Sequence, residues 1–327
     1  MTRNKKNGLV LAALLLCACL FGGCAAPPED KQAPLGLSDQ HLISASTLGL
    51  SPESRSVMLY FRYGDTGYLA PEQRSILVER NESLEKAIVQ ALINGPESSA
   101  SSLSALFPAG TEVLAAQSQG ETLFITFNDS LLGRYPDEPS DQASGEWIVE
   151  GPLRRRLCLD ALAATLTEAG LCSQVQILVY QGANQATSMR LNAGFLSRSQ
   201  DDSLLPVQQR SEERLLTPHN TASLLMKAWM AQDWEALYDL TAREGSVSRP
   251  GEQAAIDAFS AGYPLVSFEL SCGSVSYDGQ KSVITADLTL AGEGTSQSRT
   301  GYPLSLIREG GLWKADYKCL MDMMGLE

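Results

Sequence analysis

The sequence predicts an α+β protein built as two domains. Three observations predict it. The 327 residues exceed one ordinary domain and suit two. In the first half, β-rich runs such as Val57-Met58-Leu59-Tyr60-Phe61 are followed by stretches with helical apolar spacing. In the second half, three helical stretches precede a series of strands, an α+β order.

Composition narrows the function classes. Apolar residues make up 44% of the chain, enough for a core, and charged residues 19%, too few for a disordered chain. A net charge of −13 argues against nucleic-acid binding, because neutralising phosphates needs a basic face. Two histidines, His41 and His219, argue against a His-based metal cluster or a His-centred triad. No EF-hand spacing, P-loop or G-x-S-x-G occurs. No catalytic residue, metal or cofactor is therefore expected.

Residues 1–23 read as a removable targeting signal. Arg3, Lys5 and Lys6 precede an apolar run of 13 residues, 9–21, too short to span a bilayer with ease. Gly22-Gly23-Cys24 ends the run, and Ala25-Ala26-Pro27-Pro28-Glu29-Asp30 follows. This arrangement resembles the lipobox of bacterial lipoproteins, which implies cleavage before Cys24 and a lipid on its sulfur. Phe21 stands where that pattern prefers Leu; Leu16-Cys17-Ala18-Cys19 meets the preference, so Cys19 is the alternative. An uncleaved anchor is a further one. Either anchor places the chain at the extracytoplasmic face of the membrane. Loss of the three basic residues leaves 22 against 38 acidic ones, a charge of −16. Anionic headgroups repel such a chain, so the anchor must hold it. Residues 24–54, rich in Pro and Gly, read as a tether.

The first domain is expected over 55–196. Strands are predicted at 57–61 and 75–79 around the Gly64-Asp65-Thr66-Gly67 turn. Leu84, Ala87, Ile88, Ala91 and Leu92 share one helical face, with Asn81 or Ser83 as cap and Gly95-Pro96 as stop. Strands at 112–117 and 122–127 form a hairpin, and 133–151 reads as a surface loop. A helix at 153–169, a strand at 175–180 and another at 190–196 complete the domain. Residues 197–215 read as a linker. The second domain, 216–327, opens with Thr217-Pro218, an N-cap followed by proline at the first helical position. Its helices are predicted at 218–231, 233–243 and 251–261, and its strands at 265–277, 282–291, 302–309 and 312–319.

Several short pieces of the first domain recur in a known order. They include Leu59-Tyr60-Phe61, Leu69-Ala70-Pro71-Glu72, Leu92-Ile93-Asn94-Gly95-Pro96 and Phe107-Pro108-Ala109-Gly110-Thr111. Ile125-Thr126-Phe127-Asn128-Asp129-Ser130, Ala164-Thr165-Leu166-Thr167 and Val175-Gln176-Ile177-Leu178-Val179-Tyr180-Gln181-Gly182 follow. Over 55–182 the chain thus resembles the GerM domain family of sporulation and spore-germination proteins. The resemblance implies an envelope-side α+β module used for protein contacts, with no catalytic residue to carry over. Its partners would be other envelope proteins or further copies of itself. The second domain resembles the nuclear-transport-factor-2-like fold, a cone of sheet wrapped on helices; the helix break at Asp233-Trp234 and Trp313-Lys314-Ala315-Asp316 carry that likeness. A likeness of fold says little about function.

Two constellations are candidate sites. Arg154-Arg155-Arg156 opens the second helix, where positive charge opposes the macrodipole; it is either a contact for an acidic partner or a solvated face balanced by Glu146 and Glu150. Trp229, Trp234, Tyr238, Phe259, Tyr263 and Phe268 either line a ligand pocket, with Asp239 or Asp257 as its polar group, or pack as core. Met321, Met323 and Met324 would dock into a partner or cover their own core. Cys158 and Cys172 stand about 20 Å apart along a helix, beyond disulfide reach. Cys272 and Cys319 lie on strands about 14 Å apart in a simple meander, though another strand order would join them. Four reduced, mostly buried thiols are the expectation. The function expected is that of a non-catalytic envelope lipoprotein in sporulation or germination. A general envelope lipoprotein, or a small-molecule binder or enzyme acting through the second domain, are the alternatives.

Overall fold

A computed structural model describes residues 53–79, 82–97, 102–139, 145–182, 187–292 and 296–326. The signal, nearly all of the tether, Cys24, Cys19, His41 and Asn81 lie outside them. The described residues all belong to one compact unit.

The chain opens with an antiparallel pair, β1 (Glu53–Tyr63) and β2 (Leu69–Val78), closed by a turn in which Gly64 takes φ 52°. β2 starts six residues before its predicted position, with Pro71 inside it. Proline is tolerated because β2 is the edge of a sheet ordered β2-β1-β3, where β3 is Leu103–Ser104. Opposite Pro71, the Tyr60 N–H donates instead to Thr165 Oγ1, at 3.1 Å. Helix α1 (Leu84–Ile93) is capped by Ser83, whose hydroxyl accepts from Lys86 N, and buries Ala87, Ile88 and Leu92 as its spacing requires. At its end Arg74 donates to the carbonyls of Ala91 and Gly95, placing positive charge at the helix C-terminus.

The hairpin of β4 (Val113–Gln119) and β5 (Thr122–Asn128) leads into α2 (Trp147–Glu168) and then β6 (Gln174–Tyr180), which runs parallel to β5. β7 (Met189–Arg190) completes a sheet ordered β4-β5-β6-β7. Helix α2 packs against both β1 and β6, so it is buried on most sides from Leu157 to Leu166. It begins six residues before the predicted onset, because Pro152 lies inside the helix and not at its first position. The predicted strand at 190–196 is a two-residue bridge followed by a short helix, α3 (Gly194–Ser197). Residues 197–215 pack onto the first half: Gln208 bridges Val175, and Leu205 and Leu215 join its core.

Helix α4 (Pro218–Ala231) has the predicted bounds, with Thr217 capping Asn220 N. α5 (Trp234–Asp239) and α6 (Glu252–Ser260) follow. The strands are β8 (Leu265–Leu270), β9 (Ser274–Val275), β10 (Lys281–Ala291), β11 (Ser296–Glu309) and β12 (Leu312–Ala315), ordered β12-β11-β10-β8 with β9 beside β10. β10 alternates, turning Ser282, Ile284, Ala286, Leu288 and Leu290 inward. Register shifts within β10 curl this sheet into a half-barrel. The last predicted strand is shorter than expected. It ends at Ala315, Asp316 caps α7 (Tyr317–Met324), and Gly325 stops that helix at φ 82°. α7 buries Leu320, Met323 and Met324, so the methionine tail covers its own core.

Two cores result. One lies around Phe61, Phe127 and Leu157. The other, around Trp229 and Phe259, also takes in Tyr63 and Ala70 from the first half.

Candidate functional site

The junction of the two halves forms a cleft of about 880 Å³. Tyr63 at the end of β1 and Ser102 beside β3 make one wall. The end of α5 supplies Tyr238 and Asp239, the following loop Arg243 and Arg249, and the β11–β12 hairpin Glu309 and Lys314. Strand alternation explains Lys314. Trp313 and Ala315 turn into the core, so Leu312 and Lys314 face away from it.

Arg249 forms the floor. Its guanidinium carbon lies 3.6 Å from the Tyr238 ring centroid, and Nη1 donates to the carbonyls of Tyr238 (2.5 Å) and Thr241 (2.8 Å). Lys314 Nζ stands 3.7 Å from Glu309 Oε1, and Glu309 Oε2 accepts the Arg243 N–H at 2.8 Å. The Ser102 hydroxyl approaches Asp239 Oδ2 at 3.4 Å. Burial pushes the Lys314 ammonium below its ordinary value, and the Glu309 and Asp239 carboxylates do not restore it against Arg249 and Arg243. Burial, aided by the Asp239 charge, pushes the Tyr63 hydroxyl up to about 12. A narrower groove of about 470 Å³ shares Tyr63, Ser102 and Asp239 and runs on along α4.

The structure divides the aromatic residues named from sequence. Trp229 and Phe259 are fully buried core, and Trp229 Nε1 donates to Tyr263 O at 3.1 Å. Trp234 and Phe268 pack on the same core. Tyr238 and Asp239 line the cleft, whereas Asp257 and His219 are exposed elsewhere. Arg243, Arg249 and Lys314 carry no local sequence signal as site residues. They meet Tyr63 only because the two halves share a core.

The three arginines stand inside α2, two turns from its start, not at its opening. Each is matched by a carboxylate of the same chain. Arg154 Nε donates to Glu150 (2.6 Å) and Nη1 to Asp137 (2.8 Å), with Tyr135 and Trp147 against its guanidinium. Arg155, its side chain 3% exposed, donates from Nη2 to both oxygens of Glu138, at 2.6 and 2.7 Å. Arg156 pairs with Asp160 at 3.0 Å. Of the two balancing acids read from sequence, Glu150 takes this role, shared with Arg62, and Glu146 does not. Burial alone would raise the Glu138 carboxyl. The Arg155 hydrogen bonds, the Tyr135 N–H and the Arg155 and Arg198 charges outweigh it and hold the carboxyl low.

Cys158, Cys172, Cys272 and Cys319 are all free. Only Cys158 is fully buried; Cys272 is exposed in a loop, and Cys319 lies on α7 and not on a strand. Among the described residues no group of three His, Cys, Asp or Glu side chains is placed to hold a metal ion. No helix among them is long and apolar enough to cross a membrane.

Comparison with known proteins bears on the first half. No curated protein matches the chain. The tandem GerMN domains of the sporulation protein GerM from Bacillus subtilis align at 16% identity over 49% of this chain, with TM-score 0.29. This chain spans about half of that structure, 48%. The first GerMN domain alone aligns at 15% identity over 46% of this chain and 97% of its own length, with TM-score 0.28. A Clostridium perfringens protein provisionally described as a lipoprotein aligns at 20% identity, over 43% of this chain and 89% of its own, with TM-score 0.24. The family model Germane, described as sporulation and spore germination, matches residues 58–182. The matched stretch runs from within β1 to just past the end of β6.

Proposed function

We propose that the protein is a non-catalytic lipoprotein held at the extracytoplasmic face of the membrane of a spore-forming Gram-positive bacterium. There its Germane domain makes protein contacts in sporulation or germination. The observation that carries this reading is the Germane match over residues 58–182. The basic start, the 13-residue apolar run and Cys24 support the anchor. The partners are other envelope proteins, or further copies of this chain. The C-terminal half is proposed to be a nuclear-transport-factor-2-like domain, a reading supported by three helices followed by a curled antiparallel sheet.

Cys24→Ala should move the protein from the membrane fraction to the soluble fraction. Retention in the membrane would refute the lipid at Cys24, and Cys19→Ala then tests the alternative. Deletion of the gene should lower heat-resistant spore yield or slow germination; normal values of both would refute the biological role. A second reading, ligand binding by the C-terminal half, is favoured by one observation: Tyr238 and Asp239 line an open cleft.

A further inference from the structure

We propose that the cleft between the two halves binds a short peptide with free termini, its carboxylate seated at Lys314 and Arg243 and its ammonium at Asp239. Among the described residues the Lys314 ammonium has an ion pair with Glu309 but no hydrogen bond. The Lys314 side chain is only 17% exposed, and Glu309 at 3.7 Å lies beyond hydrogen-bond distance. Arg243 fixes Glu309 through its backbone N–H, so its own guanidinium stays exposed on the rim. Among the described residues that guanidinium has no ion pair of its own. Arg249 cannot move to help, because it is stacked on Tyr238 and bonded to two carbonyls.

The other end has the opposite need. Asp239 is exposed, and the Ser102 hydroxyl at 3.4 Å is a weak partner for a carboxylate. Tyr63 and Tyr238 add aromatic surface to the same lining. Carboxylates of Asp239, Glu244 and Glu309 along the lining repel a polyanion, so one anionic group matched by one cationic group fits best. About 880 Å³ lies within the 300–1,000 Å³ typical of clefts that bury a drug-sized ligand, which favours a peptide over a single amino acid.

The test is isothermal titration of the full chain, extracted in detergent, with the tripeptide Ala-Ala-Ala. Saturable one-to-one binding is expected. Carboxyl amidation of the peptide should weaken it at least tenfold, and amino acetylation should weaken it as well. Arg243→Gln and Lys314→Met should each cost at least tenfold for the free peptide yet leave the amidated peptide unaffected. Asp239→Asn should do the same for the acetylated peptide. Arg243 is exposed, so its variant carries the test even if Lys314→Met melts at lower temperature. The proposal is overturned by no saturable heat at millimolar peptide, or by equal binding of the amidated form. Competition by inorganic phosphate at the same concentration, or alanine binding as tightly as the tripeptide, also overturns it.

Discussion

Replacing Trp229 by Ala distinguishes a packed core from a ligand pocket. Trp229 is fully buried on α4, and its indole N–H satisfies the Tyr263 carbonyl at 3.1 Å. Truncating a buried aromatic side chain to Ala costs about 3–5 kcal/mol, through lost transfer energy and the cavity left behind. Loss of the hydrogen bond adds about 1 kcal/mol, because Tyr263 O is left without its donor. The variant should therefore lose about 4–6 kcal/mol in urea unfolding followed by circular dichroism. At roughly 2–4 °C per kcal/mol for a chain of this size class, the melting temperature should fall by about 10–20 °C. If Trp229 instead lined a ligand cavity open to water, the loss would stay near 1 kcal/mol. A value that small, with an unchanged denaturant slope, would refute the core assignment of both Trp229 and Phe259.

Three further outcomes follow from buried groups. Glu138→Gln should destabilise by about 3 kcal/mol or more, because Arg155 is left charged and buried; adding Arg155→Met should restore part of it, which a double-mutant cycle measures. The Glu138 and Glu150 carboxyls sit below their ordinary values in the folded chain. Their stabilisation is thus present above the unfolded carboxylate value, about 4.3, and is lost as pH falls through the lower folded one. Melting temperature against pH should drop steeply below about pH 4 in the native chain and more shallowly in Glu138→Gln. With a thiol reagent such as Ellman's, Cys272 should react in the native protein and Cys158 only after unfolding, because burial pushes the Cys158 thiol up and shields it.

Local signals in the sequence located most elements, and their failures have a common cause. Thr217-Pro218 set the start of α4, and Gly95-Pro96 marked the end of α1, because caps and stops act over a few residues. Pro71 and Pro152 misled for the same reason. An edge strand tolerates the first, and a helix clamped between β1 and β6 tolerates the second, both through tertiary context. The strand read at 312–319 became β12 and α7 because Asp316 caps a turn of helix whose methionines fill the core. Of the carboxylates that match the arginine triplet, the sequence pointed to Glu150 but not to Asp137 or Glu138. Asp137 and Glu138 lie 17 residues away, on a segment that reads as surface loop.

The cleft was the least legible feature, and the reason is topological. Tyr63 and Ala70 belong to the Germane segment by sequence but to the second core by packing. Leu216 N donates to Leu69 O, so the strand that edges the first sheet also receives the entry to α4. The hairpin of β11 and β12 closes over the same edge, with Gly311 against Pro71. An opening of the halves would expose Tyr63 and Ala70 and separate Tyr63 from Lys314 in one step. Hydrophobic burial at this junction therefore holds the walls of the cleft in register. The first half contributes Tyr63, and the C-terminal half contributes Tyr238 and every charged group named in the binding proposal. A ligand in the cleft would contact both halves, so its binding would oppose their separation.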